Sequence, residues 1–222
     1  MSTHDEPAVA GVWPLPPEVP RPPGRPPAPA PAPNPAGPTL PSWLEPDPEL
    51  TRQLADRLLE HRVVLASGHL DAALADRAAA QLLLLARQGQ EAVELQLACP
   101  TSDLDAALGL ADAVDLLSLP VRAVVRGTLG GPVLAVLAAA TERVASRRAV
   151  LVLSVPRAPA REGSAEDVRL AAEQLEHQLA VLRDRLAAAT GRAPDDVAAD
   201  LRAGRVLGAE EAVAYGLVQH VT

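Results

Sequence analysis

"EAVELQLACPTSDLDAALGLADAVDLLS", residues 91–118, carries two periodicities end to end. Over 91–100 the pattern alternates: Val93, Leu95 and Leu97 face one way, Glu94 and Gln96 the other, as in a half-buried strand. From Thr101 to Ser118 the apolar residues recur at helical spacing. Ser102 stands where an N-cap belongs, and Asp105, three residues on, completes a weak capping box. A strand running straight into a helix is the repeating half of an α/β fold.

The pattern continues on both sides. "RVVLASG" (62–68) reads as a strand ending at Gly68, and residues 71–90 as a helix. "VRAVVRG" (121–127) and "RAVLVLSV" (148–155) read as strands flanking a helix that opens in "RGTLGGPVLAVL" (126–137). A long amphipathic helix spans Ser164 to Thr190, with Val168, Ala171, Leu175, Leu179, Leu182 and Leu186 on one stripe. Two short helices and a closing strand, "GLVQHV", follow. Strands separated by helices imply α/β with largely parallel pairing. The long helix has more apolar stripe than its local sheet needs, which implies packing against another subunit.

Composition narrows the function classes. The 222 residues carry a net charge of −8, which argues against a nucleic-acid footprint. Lys, Ile and Phe are absent, so Ala, Leu, Val and Arg fill the core and surface, and β-propensity cues are weak. The single cysteine, Cys99, excludes an intrachain disulfide and argues against a cysteine-based zinc site. The five histidines show no metal-ligand spacing, so neither metal nor cofactor is expected. No basic, then apolar, leader is visible and no uncharged apolar run reaches about 18 residues. The expectation is a cytoplasmic protein without a membrane span.

Seventeen of the 23 prolines lie in the first 48 residues. Proline fixes φ and lacks the N–H donor, so residues 1–48 are expected to be a disordered, polyproline-II-like arm and 49–222 the folded domain. The arm carries both tryptophans, Trp13 and Trp43, as candidate docking residues for a partner or another subunit.

Residues 56–222 resemble the proteolytic subunit of the Clp protease, in the superfamily that includes the crotonases. The likeness rests on "RLLEHRVVLASGHLDAALADRAAAQLLLL", on "LQLACPTSDLDAALGLAD", and most of all on "AEEAVAYGL" near the C-terminus. It implies a repeated β-α-β spiral, with helix 164–190 as the handle between two stacked seven-membered rings. It implies serine peptidase chemistry in a chamber fed by an ATP-driven unfoldase of the AAA+ class.

Carried over one position at a time, that chemistry is missing. The position of the nucleophilic serine falls on Gly131, or on Leu129 if the count runs back from strand 148–155. Thr128 is the nearest hydroxyl, and an unactivated threonine is a poor nucleophile. Ser154 stands at the histidine position, where its hydroxyl is far too weakly basic to serve as general base. Gly204 stands at the aspartate position. Thr101 and Ser102 replace a Gly-Gly pair in the loop that supplies oxyanion donors. Cys99 reads as an inert thiol. Each triad replacement also has a structural reading: Gly130–Gly131–Pro132 as a turn with proline opening a helix, Gly204 as the glycine ending helix 195–203, and Ser154 as a small strand-end residue. On the strand where the family carries outward tyrosines for unfoldase docking, this chain has Glu94 and Gln96.

The resulting expectation is a catalytically inactive Clp-peptidase-like subunit, assembling with itself or in mixed rings with an active paralogue. The competing readings are an active peptidase with a rearranged site drawing on Ser102, Ser154 or His177, and a crotonase-like acyl-CoA-binding protein.

Overall fold

A computed structural model describes residues 48–156 and 163–222. The arm before Pro48, with Trp13 and Trp43, lies outside the described residues. The main sheet orders β1 (Val63–Leu70), β2 (Val93–Ser102), β3 (Val121–Val125), β5 (Glu142–Ala145) and β8 (His220–Val221), every neighbouring pair parallel. A second sheet orders β4 (Thr128–Gly130), β6 (Val150–Val152) and β7 (Val206–Gly208), with β4 and β6 parallel and β6 and β7 antiparallel. The helices are α1 (Pro48–Glu60), α2 (Ala72–Gln88), α3 (Leu104–Asp115), α4 (Leu134–Ala139), α5 (Ala165–Thr190), α6 (Pro194–Ala203) and α7 (Ala209–Tyr215). The fold is α/β with a parallel sheet, as the periodicities imply.

The alternation in β2 sorts its faces as read: Val93, Leu95 and Leu97 are fully buried, while Glu94 and Gln96 lie on the outer face. Leu82 and Leu85 of α2 are buried on the same core. Each such leucine contributes roughly 2 kcal/mol through removal of its apolar surface from water. α2 starts where Asp71 Oδ1 accepts from the Leu74 N–H at 2.9 Å.

Arg62, immediately before β1, has φ +59°. A non-glycine residue there is strained. Its guanidinium donates to the carbonyls of Leu85 (3.3 Å), Glu91 (2.8 Å) and Ala92 (3.4 Å). One side chain thereby satisfies the end of α2 and the turn after it, a physical reason for arginine in "LLEHR".

Several boundaries differ from the sequence reading. β2 runs on through Thr101 and Ser102, so Ser102 is not the N-cap of α3 and no Ser102–Asp105 capping box forms. Asp103 takes the N-cap position instead, without a side-chain capping bond. The reason is pairing: the end of β1 continues alongside, matching His69 with Thr101 and Leu70 with Ser102. The strand expected over 148–155 is only Val150–Val152, and Glu142–Ala145 forms a strand with no sequence-level reading. α5 follows expectation closely. Ser164 Oγ accepts from the Asp167 N–H (3.2 Å) and Asp167 Oδ2 from the Ser164 N–H (3.1 Å), a reciprocal capping box. Its stripe is graded: Leu182 and Leu186 are buried, Leu175 and Leu179 partly so, and Val168 is exposed.

Candidate functional site

Where β4 passes into α4, the chain crosses beneath the end of β2. Gly130 runs so close to the Pro100 carbonyl that a Cβ there would lie 2.4 Å from its oxygen, so only glycine fits. Gly131 follows at φ +73° and opens a short 3-10 turn, Gly131–Val133, with Pro132 inside it. The turn forms where the sequence placed it, and proline fits because its absent N–H would have no helical partner.

Gly131, Ser102 and Ser154 converge. A Cβ on Gly131 would stand 3.5 Å from Ser154 Oγ and 3.8 Å from Ser102 Oγ. All three line a cleft of about 1090 Å³, which also reaches His69, Thr101 and Asp103 and is walled by α5 through Val168 and Leu175. Ser102 Oγ accepts from the Val133 N–H at 2.9 Å and faces the Gly130 carbonyl at 3.4 Å. The Ser102 oxygen thus occupies the backbone donor of Val133, the last residue of the turn. On a strand-to-helix turn that presents a nucleophile, the N–H of the next residue is the usual oxyanion donor. Here that residue is Pro132, which has no N–H.

A Clp protease family model matches residues 47–222. The ATP-dependent Clp protease proteolytic subunit 3 of Rhodococcus jostii is 31% identical over 179 residues, covering 79% of this chain and 88% of the relative. A Streptomyces coelicolor protein of the same name is 30% identical over 172 residues, covering 76% and 79% respectively. The chain belongs to the Clp protease family.

The remaining candidates of this Clp-family chain are scattered. Leu129 is fully buried, so Gly131 and not Leu129 faces Ser154. Thr128 is exposed at the start of β4 and does not line the cleft. His177 is exposed on α5 and also does not line it, so the structure does not bring His177 to Ser102 and Ser154. Gly204 ends α6 in the left-handed region at φ +67°, as read, and lies outside the cleft lining. It is nevertheless tied to the site's strand, because the next residue's carbonyl, on Arg205, accepts from the Leu153 N–H at 2.8 Å. Cys99 is fully buried beside the Ala66 carbonyl, and burial pushes its thiol pKa up, away from the reactive thiolate.

Glu94 and Gln96 lie on the outer sheet face, where Gln96 Nε2 donates to Glu94 Oε1 at 2.6 Å. Glu94, Arg122 and Glu142 are register partners across β2, β3 and β5, and Arg122 lies 3.8 Å from Glu94 and 3.4 Å from Glu142. This row is polar and ion-paired. Among the described residues, no group of three or more His, Cys, Asp and Glu is placed to hold a metal ion, and no helix is long and apolar enough to cross a membrane.

The cleft also contains a cluster that sequence reasoning missed. His69 Nδ1 lies 2.9 Å from Thr101 Oγ1, and His69 Nε2 lies 3.2 Å from Asp103 Oδ1. The available signal was a histidine just after Gly68 at a strand end and an aspartate two residues after a loop threonine. Only the β1–β2 register joins them across 32 residues.

Proposed function

We propose that this chain is a Clp proteolytic-subunit-like protein that has lost peptide-bond hydrolysis and serves a structural or regulatory role within a Clp complex, in rings of its own or mixed with an active paralogue. The carrying observation is the contact at Gly131. The positions taken from the family as nucleophile and base lie close together, since a Cβ on Gly131 would stand 3.5 Å from Ser154 Oγ, but they are occupied by a glycine and a serine. The scaffold is kept and the reacting groups are absent. Loss of one triad member costs several orders of magnitude in rate, and Pro132 removes an oxyanion donor as well.

The handle reading of α5 supports assembly. Its N-terminal half carries exposed Val168 and Leu170 beyond the part packed on the core. The outer face of β2 supports a departure in unfoldase recruitment: an apolar loop docking on Glu94 would have to desolvate a carboxylate already paired with Arg122. An unfoldase would therefore be engaged mainly through the active partner of a mixed ring.

The test is hydrolysis of a fluorogenic peptide amide by the purified chain. No turnover is expected. Turnover that persists after removal of contaminating peptidases would overturn the reading, and its loss in Ser154→Ala would place the activity at Ser154.

A further inference from the structure

His69, Thr101 and Asp103 sit at the mouth of the cleft on backbone that aims them. Between the pairs Ser67–Ala98 and His69–Thr101, β2 carries the extra residue of a bulge: Cys99 and Pro100 stand opposite Gly68, which has φ +91°, and past it His69 is brought beside Thr101. Bulges recur where a strand must re-aim a side chain. Asp103 is held by its own N–H, which donates to the Leu70 carbonyl at 2.9 Å. Thr101 is the register partner of His69. In the tautomer with the ring proton on Nε2, which lies 3.2 Å from Asp103 Oδ1, Nδ1 is left as an acceptor. The Thr101 hydroxyl then donates to Nδ1. Carboxylate, imidazole and hydroxyl stand in the order in which an acid orients a base and the base activates a nucleophile.

We propose that Thr101, His69 and Asp103 form a hydrolytic relay of this chain's own, separate from the Gly131 position, acting on esters of apolar acyl groups. Val155, Val168 and Leu175 give the cleft an apolar wall for the acyl chain. Thr101 Oγ1 attacks the ester carbonyl carbon while its proton passes to His69 Nδ1. The bond to the leaving alkoxide breaks, and the alkoxide takes that proton. Water then attacks the acyl-threonine ester, giving its proton to Nδ1. The bond to Oγ1 breaks, the carboxylic acid leaves, and Thr101 recovers its proton. Asp103 holds the ring, a positioning role. The cluster is half-exposed, with His69 50% and Asp103 59% accessible. The oxyanion is therefore met by water rather than by a fixed donor pair, each member of which is worth about 10²–10³ in rate. Esters with good leaving groups fall within reach of such a site and peptide amides do not, so this activity coexists with the proposed loss of peptidase function.

The experiment uses the full chain and p-nitrophenyl butyrate, following p-nitrophenolate release and mapping butyryl adducts after acid quench. The chain lacks lysine, which removes the commonest off-site acyl acceptor. A butyryl group on Thr101 is expected. Thr101→Val and His69→Gln should each lower release at least about tenfold, within the range general-base catalysis supplies. Thr101→Ser should retain release, and Asp103→Asn should lower kcat with KM unchanged. Circular dichroism confirms that each variant is folded. Release indifferent to Thr101→Val and His69→Gln, or an adduct mapped elsewhere, would overturn the proposal. An inert ester assay overturns this proposal and leaves the ring-subunit reading standing, whereas peptide-amide cleavage that persists in Thr101→Val contradicts that reading alone.

Discussion

Ser102 Oγ accepts a hydrogen bond from the Val133 N–H at 2.9 Å, joining the end of β2 to the turn that opens α4. Val133 itself is fully buried. The serine thus performs a structural task at the point where a peptidase would keep its backbone donors open. Ser102→Ala removes the acceptor and strands a buried donor, which costs about 1–3 kcal/mol. Urea denaturation should show a lower midpoint with an unchanged slope.

Placing serine, histidine and aspartate at the three proposed triad positions should not by itself make a peptidase. Gly131→Ser with Ser154→His and Gly204→Asp places a serine at φ +73° and leaves Pro132 without an N–H. The triple variant is expected to show no more than trace turnover of peptide amides. Adding Pro132→Ala supplies the missing donor, and turnover should then rise by about 10²-fold over the triple variant, the value of one oxyanion donor. Equal rates in the two variants would show that Pro132 is not a barrier.

Arg62 combines strain with three carbonyl partners, and two substitutions separate these effects. Arg62→Ala keeps the unfavourable φ and removes the donors, for a loss on the order of 2 kcal/mol. Arg62→Gly removes the same donors but relieves the strain. The glycine variant should melt above the alanine variant in a thermal scan, and the reverse order would contradict the assignment.

The fold was legible wherever periodicity was strong. Residues 93–99 alternate cleanly, 72–88 and 165–190 repeat at helical spacing, and each forms the element read. Glu142–Ala145 escaped because a four-residue strand has too little pattern, and it holds one β-branched residue, Val144, and no aromatic one. Ser102 misled because serine before an acidic first turn is the signature of an N-cap. Long-range pairing with Leu70 kept it in the strand instead. The resemblance pointed to Gly131 as the nucleophile position, and a Cβ there would lie 3.5 Å from Ser154 Oγ. The His69 cluster was not readable, since a bulge and a register decide where that ring points.

Tyr215 and Asp200 predict the pH limits of the C-terminal region. The Tyr215 hydroxyl donates to Asp200 Oδ2 at 2.8 Å, and the Arg192 guanidinium lies 4.0 Å above the ring. Burial first, and then Asp200, push the Tyr215 pKa up to about 12. The folded chain therefore holds that proton more tightly than the unfolded chain. Its stabilising contribution is complete below about pH 10 and is lost as pH rises toward about 12. For Asp200, burial works upward, but hydrogen bonds from Tyr215 and Arg205 outweigh it and leave the pKa lowered. That contribution is present above the ordinary carboxylate range and is lost as pH falls through the lowered value. Tyr215→Phe should flatten the alkaline limb of a stability-against-pH curve, and Asp200→Asn the acid limb. Unchanged limbs would contradict the pairing.

The most direct test of the account is native mass spectrometry of this chain, alone and mixed with the active Clp peptidase subunit of the same cell, with peptide-amide hydrolysis read on each sample. The account predicts that the chain alone cleaves no peptide, and that mixing yields rings containing both subunits with altered activity per ring. Peptide cleavage by the chain alone, or strict separation of the two subunits with unaltered activity of the partner, would contradict it.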